Sequence, residues 1–240
     1  MRVFITKDYE EMSERAFEIV KELVVENPYA VLGLATGTTP LGLYGRMKAD
    51  HKKNGTSYRH VRTVNLDEYM GLPAVHEQSY AYFMKKNLFD GLDIDLNNTH
   101  IENGMAPSAE EECENYNRLL KMLRQDIQIL GIGSNGHIAF NEPGTPFNSQ
   151  THVVELAEST IKDNARLFKD VSEVPRKAFT MGLKNIMDAK KIVVLANGAN
   201  KAKAVKEAIQ GNMSENVPAS ILQSHEDCTF ICDEQAAALL

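Results

Sequence analysis

Short apolar runs recur along this chain, and they constrain its fold more than any other feature. The segments Ala30–Ala35, Val61–Leu66, Ile127–Ile132 and Ile192–Leu195 each have the length and branched side chains of a buried strand. Between them lie stretches with apolar residues at helical spacing, of which Met12 to Val24 is the clearest. Strands that alternate with helices predict an α/β fold with a largely parallel sheet. We find no repeat or linker, and therefore expect one α/β domain over residues 1–240.

Further elements follow from turn and capping signals. We expect a helix with Pro40 in its first turn, because proline is well suited to that position. The other predicted elements are the helices Glu77–Phe89 and Ser108–Arg124, the strands His152–Leu156, Pro218–Leu222 and Thr229–Cys232, and a closing helix Glu234–Leu240.

The composition excludes several classes of protein. Hydrophobic residues make up 43% and charged residues 25%, as in an ordinary soluble protein, and no apolar run approaches the ~20 residues that would cross a bilayer. The formal net charge of −7 argues against a nucleic-acid-binding surface. The N-terminal residues MRVFITKDYEE predict a strand and a charged helix start, and no signal peptide. Three cysteines without metal-ligand spacing predict reduced thiols in a cytoplasmic protein.

A first candidate site follows the second predicted strand. There Thr36, Gly37, Thr38 and Thr39 lead into a helix, so that hydroxyl groups, backbone N–H groups and the positive end of the helix dipole converge. The segment is neither a Walker motif nor a GxGxxG motif. It predicts a phosphate-binding loop, and the alternative is an ordinary capped helix start.

Two acids follow the third predicted strand. Asp67 and Glu68 are expected to point to opposite sides, because side chains alternate along a strand, so only one of them need be catalytic. The alternative is the start of a solvated loop.

The segment Leu130–Gly144, with the sequence LGIGSNGHIAFNEPG, holds the third candidate site. Its glycines permit tight backbone turns, and His137 and Glu142 follow at the carboxyl end of a predicted strand, where ligands bind in open α/β sheets. A histidine beside a carboxylate can transfer protons near neutral pH. The alternative is a solvated loop in which the histidine caps a turn. Of the remaining cations, Lys201 at a helix start is placed to meet an anion, whereas Arg166 has the pattern of a surface residue.

With LATGTTPLGLY, VNLDEYMGL, GIGSNGHIAFNEPG, NARLF and GANKAKAV in view, the chain closely resembles the glucosamine-6-phosphate deaminase family over its whole length. The resemblance implies a Rossmann-like open sheet with helices on both faces. It also implies conversion of D-glucosamine 6-phosphate and water into fructose 6-phosphate and ammonia, with no metal or organic cofactor.

The resemblance also implies roles for individual residues. Asp67 is implied as the base that moves a proton from C2 to C1, and His137, tuned by Glu142, as the group that opens the sugar ring. Asn135 stands where many family members have Asp, which leaves its role open. The phosphate site is implied to consist of Gly37, Thr38, Thr39, Arg166 and Lys201.

Two rival functions remain at this point. One is a sugar-phosphate isomerase or lactonase, and the other is a non-catalytic sugar-phosphate sensor, which would normally carry a fused DNA-binding segment that we do not find. The partner is expected to be an amino-sugar phosphate, with no nucleic acid or membrane, and a homo-oligomer stays open. Effector-responsive members of the family hold N-acetylglucosamine 6-phosphate with basic residues after the catalytic loop and a C-terminal extension. We expect no such response, because the segment from Ser149 to Glu155 contains no Arg or Lys and the sequence given stops at Leu240.

Overall fold

The structure is a computed structural model that describes residues 1–156, 168, 170 and 173–240. Within this part of the chain, a seven-stranded parallel sheet has the strand order β1-β10-β9-β6-β2-β3-β5. Its strands are β1 (Arg2–Thr6), β2 (Val31–Leu34), β3 (Arg62–Asn65), β5 (Thr99–His100), β6 (Ile127–Gly131), β9 (Ile192–Ala196) and β10 (Cys228–Asp233). The predicted largely parallel sheet is confirmed.

The described helices are α1 (Tyr9–Glu26), α2 (Leu41–Asn54), α3 (Tyr80–Asn87), α4 (Ala109–Met122), α5 (Leu183–Met187) and α6 (Ala202–Gln210). Three of them begin at capped residues: Asp8, Ser79 and Ser108 each accept a hydrogen bond from a backbone N–H of the first turn. Pro40 lies at the N-cap position of α2, one residue before the predicted place. Every described helix is too short or too polar to span a lipid bilayer.

Helices cover both faces of the sheet, as expected. Met12 of α1, Met47 of α2 and Met84 of α3 pack with Ile129 and other strand residues in one hydrophobic cluster. A second cluster joins α4, α5 and α6 to the opposite face, where the next strand residue, Leu130, points. Because both faces are buried, the central strands are nearly continuous apolar runs, which is why sequence alone locates them.

A second, antiparallel sheet had not been predicted. It has the order β4-β8-β7 and consists of β4 (Asp67–Tyr69), β8 (Lys177–Thr180) and β7 (His152–Glu155). The predicted strand His152–Leu156 corresponds to β7. All three strands are only three or four residues long and carry charged residues, so periodicity does not reveal β4, β8 or the pairing of the three. In this sheet Asp67 pairs with Thr180.

Two predicted elements at the end of the chain are wrong. The segment Pro218–Ser224 is a 3₁₀ helix, with Pro218 in its first turn where the absent N–H is not needed. Residues Glu234 to Leu240 form successive turns with no α-helix. The turn after β10 is held by the Asp233 carboxylate, which accepts hydrogen bonds from the N–H groups of Ala236 and Gly198.

Candidate active site

The candidate site lies at the carboxyl ends of β2, β3 and β6. The chain proceeds from β2 to β3 on one side, whereas β6 and β9 lie on the other, so a crevice opens between β2 and β6. A cavity of about 290 Å³ occupies this position. It is lined by Ala35, Thr36, Gly37, Thr38, Thr39, Leu66, Asp67, Tyr80, Gly131, Ile132, Gly133, His137, Ala139, Phe140 and Lys201.

The loop from Thr36 to Thr39 presents unpaired donors to this cavity. Gly37 adopts a φ of +90°, a conformation that favours glycine. Tyr9 braces the loop, since its hydroxyl donates to the Thr38 carbonyl at 3.1 Å and accepts from the Gly42 N–H at 2.7 Å. None of the described residues accepts a hydrogen bond from the N–H groups of Gly37, Thr38 or Thr39. These groups are therefore available to an anion at the start of α2.

Lys201 supplies a positive charge to the same cavity. It ends the short 3₁₀ helix Ala199–Lys201 and directly precedes α6. Among the described residues it has no acidic partner, and partial burial lowers the pKa of its ammonium group. We call the loop from Thr36 to Thr39 the anion cradle. Thr39 connects this loop to the Lys201 side of the cavity, because its hydroxyl donates to the side-chain oxygen of Asn197 at 3.3 Å. The described residues thus supply hydrogen-bond donors and one cation on the side where a phosphate would lie.

Asp67 is the buried acid of the cavity. Its residue is only 7% exposed, and burial, followed by the charge of Glu68, raises the pKa of the Asp67 carboxyl to about 8. A carboxyl with a raised pKa is a stronger base when it is ionised, as proton abstraction from carbon requires.

The neighbouring Glu68 has a different role. Its carboxylate accepts hydrogen bonds from the N–H groups of Tyr69, Tyr80 and Ala81, at 2.8 to 2.9 Å, and so caps the start of α3. Burial raises the pKa of Glu68, although these three donors oppose the shift. The expectation that the two acids point to different sides agrees with this arrangement, because Asp67 lines the cavity and Glu68 does not.

His137, Glu142 and Asn135 form a second polar group at the cavity. Nδ1 of His137 lies 3.1 Å from Oε1 of Glu142, at ion-pair distance but without the alignment of a hydrogen bond. The Asn135 side-chain amide donates to Oε2 of Glu142 at 2.7 Å, and its oxygen accepts from the backbone N–H of His137 at 3.2 Å. His137, and to a lesser degree Asn135, lower the pKa of Glu142, so this carboxyl is ionised at neutral pH.

Two backbone features place His137. A side chain at Gly133 would come within 2.4 Å of the imidazole ring, so glycine is required for the ring to lie against the strand end. Phe140 donates its N–H to the Thr180 hydroxyl at 3.2 Å, and Thr180 pairs with Asp67 in the second sheet. Through Thr180, the antiparallel sheet fixes the position of the base relative to the loop that carries His137.

The structure brings most of the predicted site residues together. Gly37, Thr38, Thr39, Asp67, His137 and Lys201 line the cavity, and Asn135 and Glu142 contact His137 beside it. Arg166 lies outside the described residues. No group of three metal-ligating side chains suited to an ion is present among the described residues.

Sequence reasoning missed three features of the site. Tyr80, which lies in the predicted helix Glu77–Phe89, lines the cavity and donates its hydroxyl to that of Tyr69 at 3.0 Å. Ala139, which also lines the cavity, has a φ of +53°, a strained value for a residue with a side chain. Glu102 is buried without a hydrogen-bond partner for either carboxylate oxygen among the described residues. Burial, and next the charges of Asp67 and Glu68, raise the pKa of Glu102 well above its usual value.

Known proteins resemble this chain over its full length. The family model of glucosamine-6-phosphate isomerases/6-phosphogluconolactonase matches residues 7–231. A glucosamine-6-phosphate deaminase of Thermoanaerobacter sp. (strain X514) is 52% identical over 100% of this chain and 95% of its own length. A glucosamine-6-phosphate deaminase of Shouchella clausii (strain KSM-K16) is 50% identical, with 100% and 97% coverage.

Solved structures agree with the family match. A monomeric glucosamine-6-phosphate deaminase superposes with a TM-score of 0.96 at 45% identity, covering 100% of both chains. A 6-phosphogluconolactonase from Trypanosoma brucei superposes with a TM-score of 0.80 at 22% identity over 100% of this chain and 98% of its own, which shows a shared fold alone. The chain belongs to the glucosamine-6-phosphate isomerase/6-phosphogluconolactonase family.

Proposed function

We propose that this protein is an enzyme that converts D-glucosamine 6-phosphate and water into fructose 6-phosphate and ammonia. Relatives about half identical over the full chain carry the name of this activity. The observation that supports it best is that one cavity joins a buried acid, Asp67, to a histidine–carboxylate pair and an anion cradle. An aldose amine becomes a ketose through proton transfers at carbon and at the ring oxygen, and this cavity offers a separate group for each.

We assign the first step to His137. In this proposal its ring moves a proton between O1 and the ring oxygen, which opens the pyranose. Glu142, ionised and 3.1 Å away, stabilises the protonated imidazole. Asn135 holds Glu142 by donating to its second oxygen, and as a neutral amide it adds no competing negative charge.

We assign the carbon chemistry to Asp67. Its carboxylate takes the proton from C2 of the open-chain sugar as O1 gains a proton, which gives an enolamine. The enolamine receives the proton back at C1 as its nitrogen loses one, which gives the C2 imine. The C2 imine then adds water and releases ammonia, which leaves the ketone of fructose 6-phosphate. Burial makes Asp67 a stronger base than an exposed carboxylate, which helps it to abstract a weakly acidic proton.

We place the phosphate at the cradle of Gly37, Thr38 and Thr39, with Lys201 as a counter-charge. Arg166 is proposed as a second cation on the family resemblance alone. Binding energy gained at the phosphate holds the reacting carbons in position without contacting them.

The remaining attributes are part of the same proposal. The two large hydrophobic clusters pack on opposite faces of one sheet, so we expect the chain to act as one domain. A cytoplasmic location fits the three free cysteines. The solved relative is described as monomeric, which favours a monomer over the homo-oligomer that the sequence leaves open. Light scattering after gel filtration decides this last point.

A coupled assay tests the activity. Incubation with D-glucosamine 6-phosphate is expected to yield ammonia and fructose 6-phosphate in equal amounts. A lactonase would instead hydrolyse a phosphorylated sugar lactone and release no ammonia, and a sensor would bind the amino-sugar phosphate without turnover. Either result would contradict the proposal.

A further inference from the structure

A second cavity, of about 230 Å³, lies between α3, the segment that precedes α3, and the edge strand β5. It shares no lining residue with the active-site cavity. Its inner wall is apolar and includes the buried side chains of Met84 and Phe89. At its mouth, Val75 is 82% and Leu96 52% exposed, although both are large apolar side chains.

Asn65 is the polar residue at the inner end of this cavity. Its neighbours Val64 and Leu66 pack in the cluster on the far face of the sheet, so alternation directs the Asn65 side chain toward α3. The backbone of Asn65 is satisfied, since its N–H donates to the Tyr116 hydroxyl at 3.0 Å and its carbonyl accepts from it at 2.7 Å. The side-chain nitrogen, in contrast, is buried and has no acceptor among the described residues. An unpaired buried amide is unfavourable, and an acceptor in the cavity would relieve it.

The charges around the cavity are neutralised. Lys85 forms an ion pair with Asp90. Burial, and next the charge of Arg62, lower the pKa of His100, so this ring is neutral at pH 7. The described residues that line the cavity therefore offer no unpaired charge to an ionic ligand, and an uncharged ligand loses less hydration on entry.

We propose that this cavity is a binding site for a small uncharged molecule with a ring-sized apolar body and one hydrogen-bond acceptor, which takes the hydrogen bond of the Asn65 amide. Its volume suits such a molecule, because an apolar cavity of about 150 Å³ holds benzene. The site lies directly behind the catalytic strand: Asn65 is two residues from Asp67, and the N–H of Ala81, which also lines the cavity, holds Glu68 at 2.8 Å. The inference does not depend on the proposed reaction.

A matched pair of probes tests this site. Acetophenone and ethylbenzene have similar shapes, but only the ketone carries an acceptor. Isothermal titration of the full chain is expected to show that acetophenone binds about five- to tenfold more tightly than ethylbenzene. This ratio of dissociation constants corresponds to the free energy of one ordinary hydrogen bond. The Asn65→Leu variant is expected to lose this preference while it still binds ethylbenzene.

A second variant keeps the test decisive if Asn65→Leu does not fold. Ala81→Leu fills the cavity but keeps the backbone N–H that Glu68 needs, so it is expected to abolish binding of both probes. Absence of binding to the unaltered protein, as for a cavity that holds only water, would overturn the proposal. Equal affinities for the two probes, or affinities unchanged in Ala81→Leu, would overturn it as well.

Discussion

At the scale of single residues, Asp67 is the side chain on which the proposed chemistry depends most. Replacing it with Asn keeps the shape but removes the base, so we expect Asp67→Asn to lower kcat by roughly 10²–10⁴-fold or more. Affinity for an acyclic amino-alditol phosphate should change only a few-fold, because the cradle is built from other residues. Deamination rates and titration of the analogue measure the two effects. Near-normal turnover in the variant would remove Asp67 from the mechanism.

His137 separates ring opening from the later steps. His137→Gln should slow the reaction of the cyclic substrate, since a proton carrier is lost, and yet keep the affinity for the open-chain analogue within a few-fold. The comparison of kcat with the analogue's dissociation constant distinguishes the two roles. If affinity falls as far as turnover, His137 is a binding or structural residue, which its close packing on Gly133 would allow.

Glu102 provides a prediction about stability. Its pKa is raised in the folded protein, so between the unfolded value near 4.5 and the folded value the native state binds more protons than the unfolded chain. Stability due to this group is therefore present at low pH and is lost as pH rises. At pH 8 the free energy of unfolding of Glu102→Gln should exceed that of the unaltered protein by on the order of 1–3 kcal/mol, with a smaller difference at pH 5. Denaturant titrations at the two pH values measure this difference. A difference that does not grow with pH would mean that Glu102 is ionised in the fold.

At the scale of elements, the anion cradle depends on the junctions of β2 with α2 and of β9 with α6. Lys201→Ala should weaken phosphorylated ligands by about 1.5–3 kcal/mol, as for one charge-assisted hydrogen bond, and glucosamine without phosphate should be a very poor substrate. Lys203→Ala is the matched control, because Lys203 is exposed and pairs with Glu207 on α6. Equal loss in both lysine variants, or equal activity on glucosamine, would argue against a phosphate site at this cradle.

The elements that sequence predicts well are those whose burial is uniform. The runs at β2, β6 and β9 are buried on both faces, and the capped starts of α1, α3 and α4 carry their signals locally. In contrast, the strand predicted at Pro218–Leu222 was wrong, because a short apolar run does not distinguish a strand from a buried 3₁₀ helix. The antiparallel sheet is held by pairings distant in sequence, such as that of Asp67 with Thr180, which no local pattern reports.

The same distinction applies to the site. Polar residues directly after buried strands, such as Asp67 and His137, could be predicted because strand ends meet at one edge of a parallel sheet. Tyr80 and Glu102 could not, since their local sequences resemble those of core and surface residues. Their positions depend on how α3 and the segment before α4 pack against β3 and β4.

At the scale of the whole molecule, the two sheets position different parts of the site. The parallel sheet places the cradle, Asp67 and His137 at adjacent strand ends. The small antiparallel sheet connects Asp67 to the loop that carries His137, through Thr180. This sheet also includes β7, which lies in the segment from Ser149 to Glu155. This segment is where effector-responsive members of the family are expected to hold the phosphate of a regulatory sugar.

We expect that N-acetylglucosamine 6-phosphate does not activate this enzyme. A cavity of about 530 Å³ does adjoin the segment, between α4 and β7. However, the described residues that line it include Glu110 and Glu114 but no Arg or Lys. Nδ1 of His152 is occupied by the Gln150 carbonyl at 2.8 Å. Glu114 is paired with Arg118 at 3.7 Å, and Arg118 does not itself line the cavity. A cavity whose described lining offers two carboxylates and no cation is expected to bind a phosphate dianion weakly.

Initial rates against substrate concentration, with and without the acetylated sugar phosphate, measure this directly. The two curves should both be hyperbolic, with the effector acting at most as a weak competitor at the active site. The Glu114→Lys variant serves as a control, because a cation at this position should improve phosphate binding in the cavity without altering the catalytic residues. A sigmoidal curve that the effector makes hyperbolic in the unaltered protein would show that a regulatory site exists despite the acidic lining. In that case the cations must come from residues outside this cavity, and a monomer would be hard to reconcile with the cooperativity.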